Sequence, residues 1–135
     1  MKRVLAAAAL LAISASVAHA DTREWEKSEL ARYSKYATDP VPDFTMFTLW
    51  QWQVVAPDKL LLWSTIKDVY LVSVHPSCNR LEWANGLSIT QAAQWKVTTK
   101  FDFIDFGSQH CKITEIRPID YKAMRAAEGD NPSKR

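Results

Sequence analysis

FTMFTLWQWQVVAPDKLLLWSTIKDVYLVSVH, residues 44–75, is the stretch whose reading decides the fold. Phe44, Met46, Trp50, Trp52 and Val54 share one parity, while Thr45, Gln51 and Gln53 lie on the other. That period of two belongs to a half-buried strand. On this parity the two tryptophans join the core, because a small sheet needs large side chains to fill it. Pro57-Asp58 reads as a turn. Residues 59–65 and 69–75 follow as two nearly continuous apolar runs joined across Ile66-Lys67-Asp68, the pattern of a hairpin in the middle of a sheet.

Working downstream, residues 86–90 form a weak strand signal and 91–94 a connector or single helical turn. Residues 95–106 alternate most cleanly, with Val97, Thr99, Phe101 and Phe103 on one face and Lys96, Thr98, Lys100 and Asp102 on the other. Gly107-Ser108 turns the chain into a returning strand over 111–116, which Pro118 ends. An alanine-rich helix is expected over 121–128. The tail over 129–135 is polar and broken by Gly129 and Pro132, hence expected to be disordered. Upstream, Trp25, Leu30, Tyr33, Tyr36 and Ala37 recur at helical spacing, with Asp21 or Thr22 as cap and Glu24 and Glu26 toward the positive end of the dipole. Asp39-Pro40-Val41-Pro42-Asp43 stops that helix. The expected class is α+β, mostly β: five or six antiparallel strands in a meander, curled into a small barrel or half-barrel, with a short helix at each terminus.

The first twenty residues carry an address. Met1-Lys2-Arg3 is a cationic start, Val4 opens an apolar run that lasts to Val17, and Ala18-His19-Ala20 has the small-x-small form that signal peptidase cuts. Residues 1–20 therefore read as a signal peptide cleaved between Ala20 and Asp21, with no stable membrane anchor left behind and a periplasmic or secreted destination. Residues 21–128 read as one exported domain. Of the 135 residues, 17 are Lys or Arg and 15 are Asp or Glu; Lys2 and Arg3 belong to the signal, so the remainder balances. A balanced chain lacks the clustered cations that hold nucleic acid, and no nucleic-acid partner is expected.

Cys78 and Cys111 are the only cysteines, and an exported pair allows one intramolecular disulfide. The competing readings are weaker: a redox dithiol lacks Cys-x-x-Cys, and a metal site lacks ligands beyond His75 and His110. Cys78-x-x-Leu81, Ser88-Ile89-Thr90, Phe101-Asp102 and the run from Cys111 through Ile113, Ile116, Arg117 and Pro118 to Ile119-Asp120 together resemble an uncharacterised family of small exported bacterial proteins, domain-of-unknown-function family 6491. The likeness continues more loosely through Trp50, residues 60–63 and Tyr70-Leu71. It implies export and a two-cysteine fold but no activity. Many members look like lipoproteins, whereas Ala20-Asp21 supplies no cysteine for lipidation.

Chemistry is sparse. No Gly-x-Ser-x-Gly surrounds Ser64, Ser73, Ser77 or Ser88, and three glycines cannot form a phosphate loop. Asp102 and Asp105, on one strand at this spacing, point to opposite faces. No catalytic residue, cofactor or metal is expected. His75 and His110 lie close to the cysteines in sequence, so a disulfide draws them toward one region, where with Asp102 or Asp105 they could form an acid–base or metal cluster or a binding point, although exposed imidazoles at strand or turn ends are the plainer reading. Trp83 and Trp95 fall outside the clearest strand interiors and are the tryptophans expected to make solvent-facing contacts. The reading is a non-enzymatic domain that binds an envelope protein or small ligand. A small periplasmic enzyme built on His75 and His110 is the competing class, and a soluble inhibitor or ligand-sequestering protein the third.

Overall fold

A computed structural model describes the backbone of residues 17–129 and side chains from Thr22 onward. The expected signal segment 1–20 lies almost wholly outside the described residues, as do positions 130–135 of the expected tail.

The elements run α1 (Val17–Ser34), β1 (Asp43–Thr45), β2 (Gln51–Ala56), β3 (Lys59–Trp63), β4 (Val69–Val74), a single 3-10 turn (Leu81–Trp83), β5 (Ser88–Ile89), β6 (Lys96–Thr98), β7 (Phe103–Phe106), β8 (Gln109–Pro118) and α2 (Tyr121–Glu128). Six strands form one antiparallel sheet in the order β2-β3-β4-β8-β7-β5, and β1 pairs with β6 in a separate two-stranded ribbon. The sheet curls into a half-barrel, the α+β, mostly β class expected. Its strand order departs from a simple meander at two places, where β4 neighbours β8 and where β7 neighbours β5. The long strand β8 pairs through Gln109, His110, Cys111 and Lys112 with β7, then through Ile113 to Pro118 with β4. A strand that changes partners midway bends the sheet, and the register shift between Ser73 and Val74 marks the bend.

The continuous apolar runs of β3 and β4 are explained by burial on both sides. Leu60, Leu62, Val72 and Val74 face a core with Phe44, Met46, Leu81, Val97, Ile104, Phe106, Ile113 and Ile116, closed by the β1–β6 ribbon. Leu61, Trp63, Val69 and Leu71 face a second core with Tyr33, Val55, Ile119 and Met124, closed by the two helices. A hairpin buried on both faces has no polar side to alternate with. Cys78 and Cys111 are bonded, with Cα atoms 5.8 Å apart, inside the first core.

Several local expectations are corrected. Residues 95–106 are not one strand: β6 and β7 belong to different sheets, separated by a turn over 99–101. Asp102 makes that turn, its amide donating to Thr98 O (3.2 Å) while its carboxylate accepts from Thr98 N (2.7 Å). Residues 44–54 are likewise split, because Met46 N donates to Trp95 O and Gln91 Nε2 to Met46 O, which hold the chain in the ribbon before it leaves for the sheet. Trp50, placed in the core by parity, precedes β2 and is 60 % exposed; Trp52 does pack on the first core. The first helix begins upstream of Asp21 and Thr22, so neither caps it here. Within it Trp25 is 51 % exposed and Glu26 is buried, the reverse of their expected roles. The second helix matches its expected span, capped by the Asp120 carboxylate accepting from Ala123 N (3.1 Å).

Candidate functional site

A groove of about 510 Å³ runs between α1, the start of β2 and α2. Register places it there. Gln51 pairs with Trp63 and Gln53 with Leu61, so both glutamines stand on the helix-facing side of the sheet. The face expected to meet open solvent is therefore half-roofed by α1. Trp25 of α1, Trp50 and Ile66 rise around the groove with large exposed surfaces, while Tyr33 and Trp63 are buried beneath, edge to face with centroids 6.0 Å apart.

The floor is ionic and closed on itself. Arg32 donates through Nε and Nη2 to Glu128 (2.7–2.8 Å) and through Nη1 to Glu29 (3.2 Å), tying the two helices together. Gln53 Nε2 reaches Glu29 at 3.5 Å. Burial disfavours the Arg32 charge, yet the Glu128 hydrogen bond and the Glu29 carboxylate outweigh it and hold its pKa above the usual guanidinium value. Burial also pushes the Tyr33 phenol up to about 12, so that hydroxyl stays protonated across the neutral range. A second cavity of about 700 Å³ shares Ile66, Tyr121 and Arg125 with the groove and continues it along α2.

The four residues singled out in sequence fall elsewhere. His75 Nδ1 accepts from Ser77 N (3.1 Å) and lies 2.8 Å from its hydroxyl. His110 Nδ1 pairs with the Asp105 carboxylate, its ring stacked on Phe103 at 3.7 Å between centroids. Each imidazole is thus engaged by its own neighbours, and neither lines the groove. Trp95, at φ +63°, packs against Phe47 at 5.4 Å in an exposed pair beside β6. Trp83 is 73 % exposed at the 3-10 turn and lines a small cavity of about 110 Å³ with Thr22, Arg23, Glu26 and Glu82. Among the described residues no group of three or more His, Cys, Asp and Glu is arranged to hold a metal ion.

Glu26 is the most perturbed group near these sites. It is 7 % exposed, and burial, the hydrogen bond to Glu82 and the Glu82 charge raise its pKa to about 7, against a smaller lowering by Arg23. Native protein then holds a proton that the unfolded chain releases near pH 4.5, so stability falls as pH rises from about 4.5 to 7. At 1.36 kcal/mol per unit, Glu26→Gln is expected to stabilise the fold by about 3 kcal/mol at pH 8, and to lose that advantage below about pH 4.5. Urea unfolding of both proteins across this range checks it. An equal pH slope in the two would refute the assignment.

The fold and groove define a small disulfide-stapled α+β domain with an aromatic-walled, charge-balanced trough. The chain belongs to a family of unknown function (DUF6491), whose sequence profile matches residues 1–135. No curated protein and no solved structure matches it. The groove residues escaped the sequence reading: Glu29 and Arg32 look like an ordinary surface pair, and Glu128 is far away in sequence. The available signal was the Gln51-Trp52-Gln53 alternation, which put Trp52 and the two glutamines on opposite faces but left the glutamine face to open solvent.

Proposed function

We propose that this chain is an exported, non-enzymatic binding domain of the periplasm that takes its ligand or partner in the groove between α1, β2 and α2. The observation that carries this reading is the groove itself: exposed Trp25, Trp50 and Ile66 surround a salt-bridged floor. Large aromatics left in solvent beside satisfied polar groups are the composition of a binding patch. Export is supported by the cationic start, apolar run and Ala18-His19-Ala20 motif, and by a disulfide, a bond that is rare outside oxidising compartments. Among the described residues, no helix is long and apolar enough to cross a membrane. Cleavage after Ala20 would shorten α1 yet spare Leu30 and Tyr33, which pack on the second core. N-terminal sequencing of exported protein is expected to begin at Asp21; a retained apolar segment would overturn the signal assignment.

For binding, Trp25→Ala and Trp50→Ala are each expected to weaken capture of the partner from envelope extract by about 2 kcal/mol, the scale of an aromatic hot spot. Their melting temperatures should stay at the wild-type value, since both side chains are exposed. The His75→Ala/His110→Ala double variant should bind as wild type. Loss of function in that variant alone, at unchanged melting temperature, would favour an enzyme.

A further inference from the structure

Three features of the groove restrict what it can hold. Its fixed charges cancel, with Arg32 and Arg125 set against Glu29 and Glu128, so neither a cation nor an anion gains net attraction. Its lining includes the indoles of Trp25 and Trp50, each more than half exposed, and the negative quadrupole of such a ring attracts weakly positive C–H groups. Its floor offers planar groups fixed by one another: the Glu128 carboxylate is held by the Arg32 fork, and the carboxylates retain lone pairs beyond those used. Gln51 and Gln53 add amides on the same face, each able to donate and accept.

A purely apolar ligand would strip water from this floor without replacing its hydrogen bonds. A ligand with C–H faces and edges dense in hydroxyls satisfies both parts. We propose that the groove binds a neutral saccharide chain, one ring stacked on Trp25 or Trp50 and its hydroxyls bonded to Gln51, Gln53, Glu29 and Glu128; this rests on the groove being the binding site. Its volume of about 510 Å³ lies within the usual 300–1,000 Å³ of small-ligand sites. The adjoining cavity past Ile66 and Tyr121 gives a longer chain a continuous path.

The test is isothermal titration of the mature protein with maltotetraose, cellotetraose and chitotetraose, with tetramethylammonium, inorganic phosphate and a neutral tetrapeptide as the other arms. At least one of the oligosaccharides is expected to saturate below about 10 mM, with little dependence on salt. Trp25→Ala or Trp50→Ala should weaken it about tenfold or more, at unchanged melting temperature. Gln53→Ala should weaken it less. The proposal is overturned if no oligosaccharide saturates, if the tryptophan variants bind them equally well, or if an ion or the peptide alone binds in the groove. Should the tryptophan variants still lose the envelope partner while no sugar binds, the groove stands as a binding site and only the saccharide assignment falls. If neither the partner nor a sugar responds to those variants, both fall.

Discussion

Asp102→Ala is expected to lower the unfolding free energy by about 4 kcal/mol. The side chain has no exposed surface, yet it carries a carboxylate. It accepts from Thr98 N (2.7 Å), Ala92 N (2.8 Å) and the Thr90 hydroxyl (2.8 Å), so one residue ties the turn after β6 to the connector after β5. Truncation strands two backbone amides and a hydroxyl, and an orphaned buried donor costs about 1 to 3 kcal/mol. Burial alone would raise the Asp102 pKa. The hydrogen bonds from Thr98, Ala92 and Thr90 outweigh that and hold it below the usual carboxylate value. A depressed native pKa stabilises the fold above the unfolded value of about 4 and loses that contribution as pH falls through the native one. Wild type should therefore lose stability faster than the variant below about pH 4. Urea midpoints at neutral and acid pH test both statements; a loss under about 1 kcal/mol at pH 7 would show that the network is dispensable.

That same residue shows where sequence reading stopped. Nothing among Thr98, Thr99, Lys100 and Phe101 breaks an alternating pattern, since no Gly or Pro intervenes. The turn is made by an aspartate side chain folding back on the backbone, a signal that periodicity does not carry. The central strands were legible for the opposite reason. Residues 59–63 and 69–74 are buried on both faces, and a long apolar run states this directly. Trp50 was misread because its parity matches Trp52, although its amide donates to Trp63 O just before the ladder starts and its ring turns outward. The groove was illegible as a whole. It joins residues of α1, β2 and α2, from Trp25 to Glu128, and no local pattern links positions so far apart.

Removing the Cys78–Cys111 bond by a Cys78→Ala/Cys111→Ala double substitution is expected to cost about 3 to 4 kcal/mol, the loop-closure figure for a ring of this size in the chain-entropy model. The cysteines are separated by 33 positions, and the bond fixes the segment after β4 against β8, where β8 changes partners. His75 N donates to Lys112 O (2.9 Å), and Ile113 N donates to the backbone oxygen of Asp102 (3.1 Å). The disulfide and the Asp102 backbone therefore hold neighbouring stretches of one strand, and the Asp102 carboxylate fixes the turn that carries that backbone. Their losses should not add, because removing either one loosens the segment that the other orders. A double-mutant cycle is expected to return a coupling above about 0.5 kcal/mol. Intact mass with and without reduction confirms that the bond is present in the protein being unfolded. Equal urea midpoints for oxidised and reduced protein would mean that β8 keeps its bend without the bond, and hydrogen exchange at Ile113 would then be unchanged by reduction.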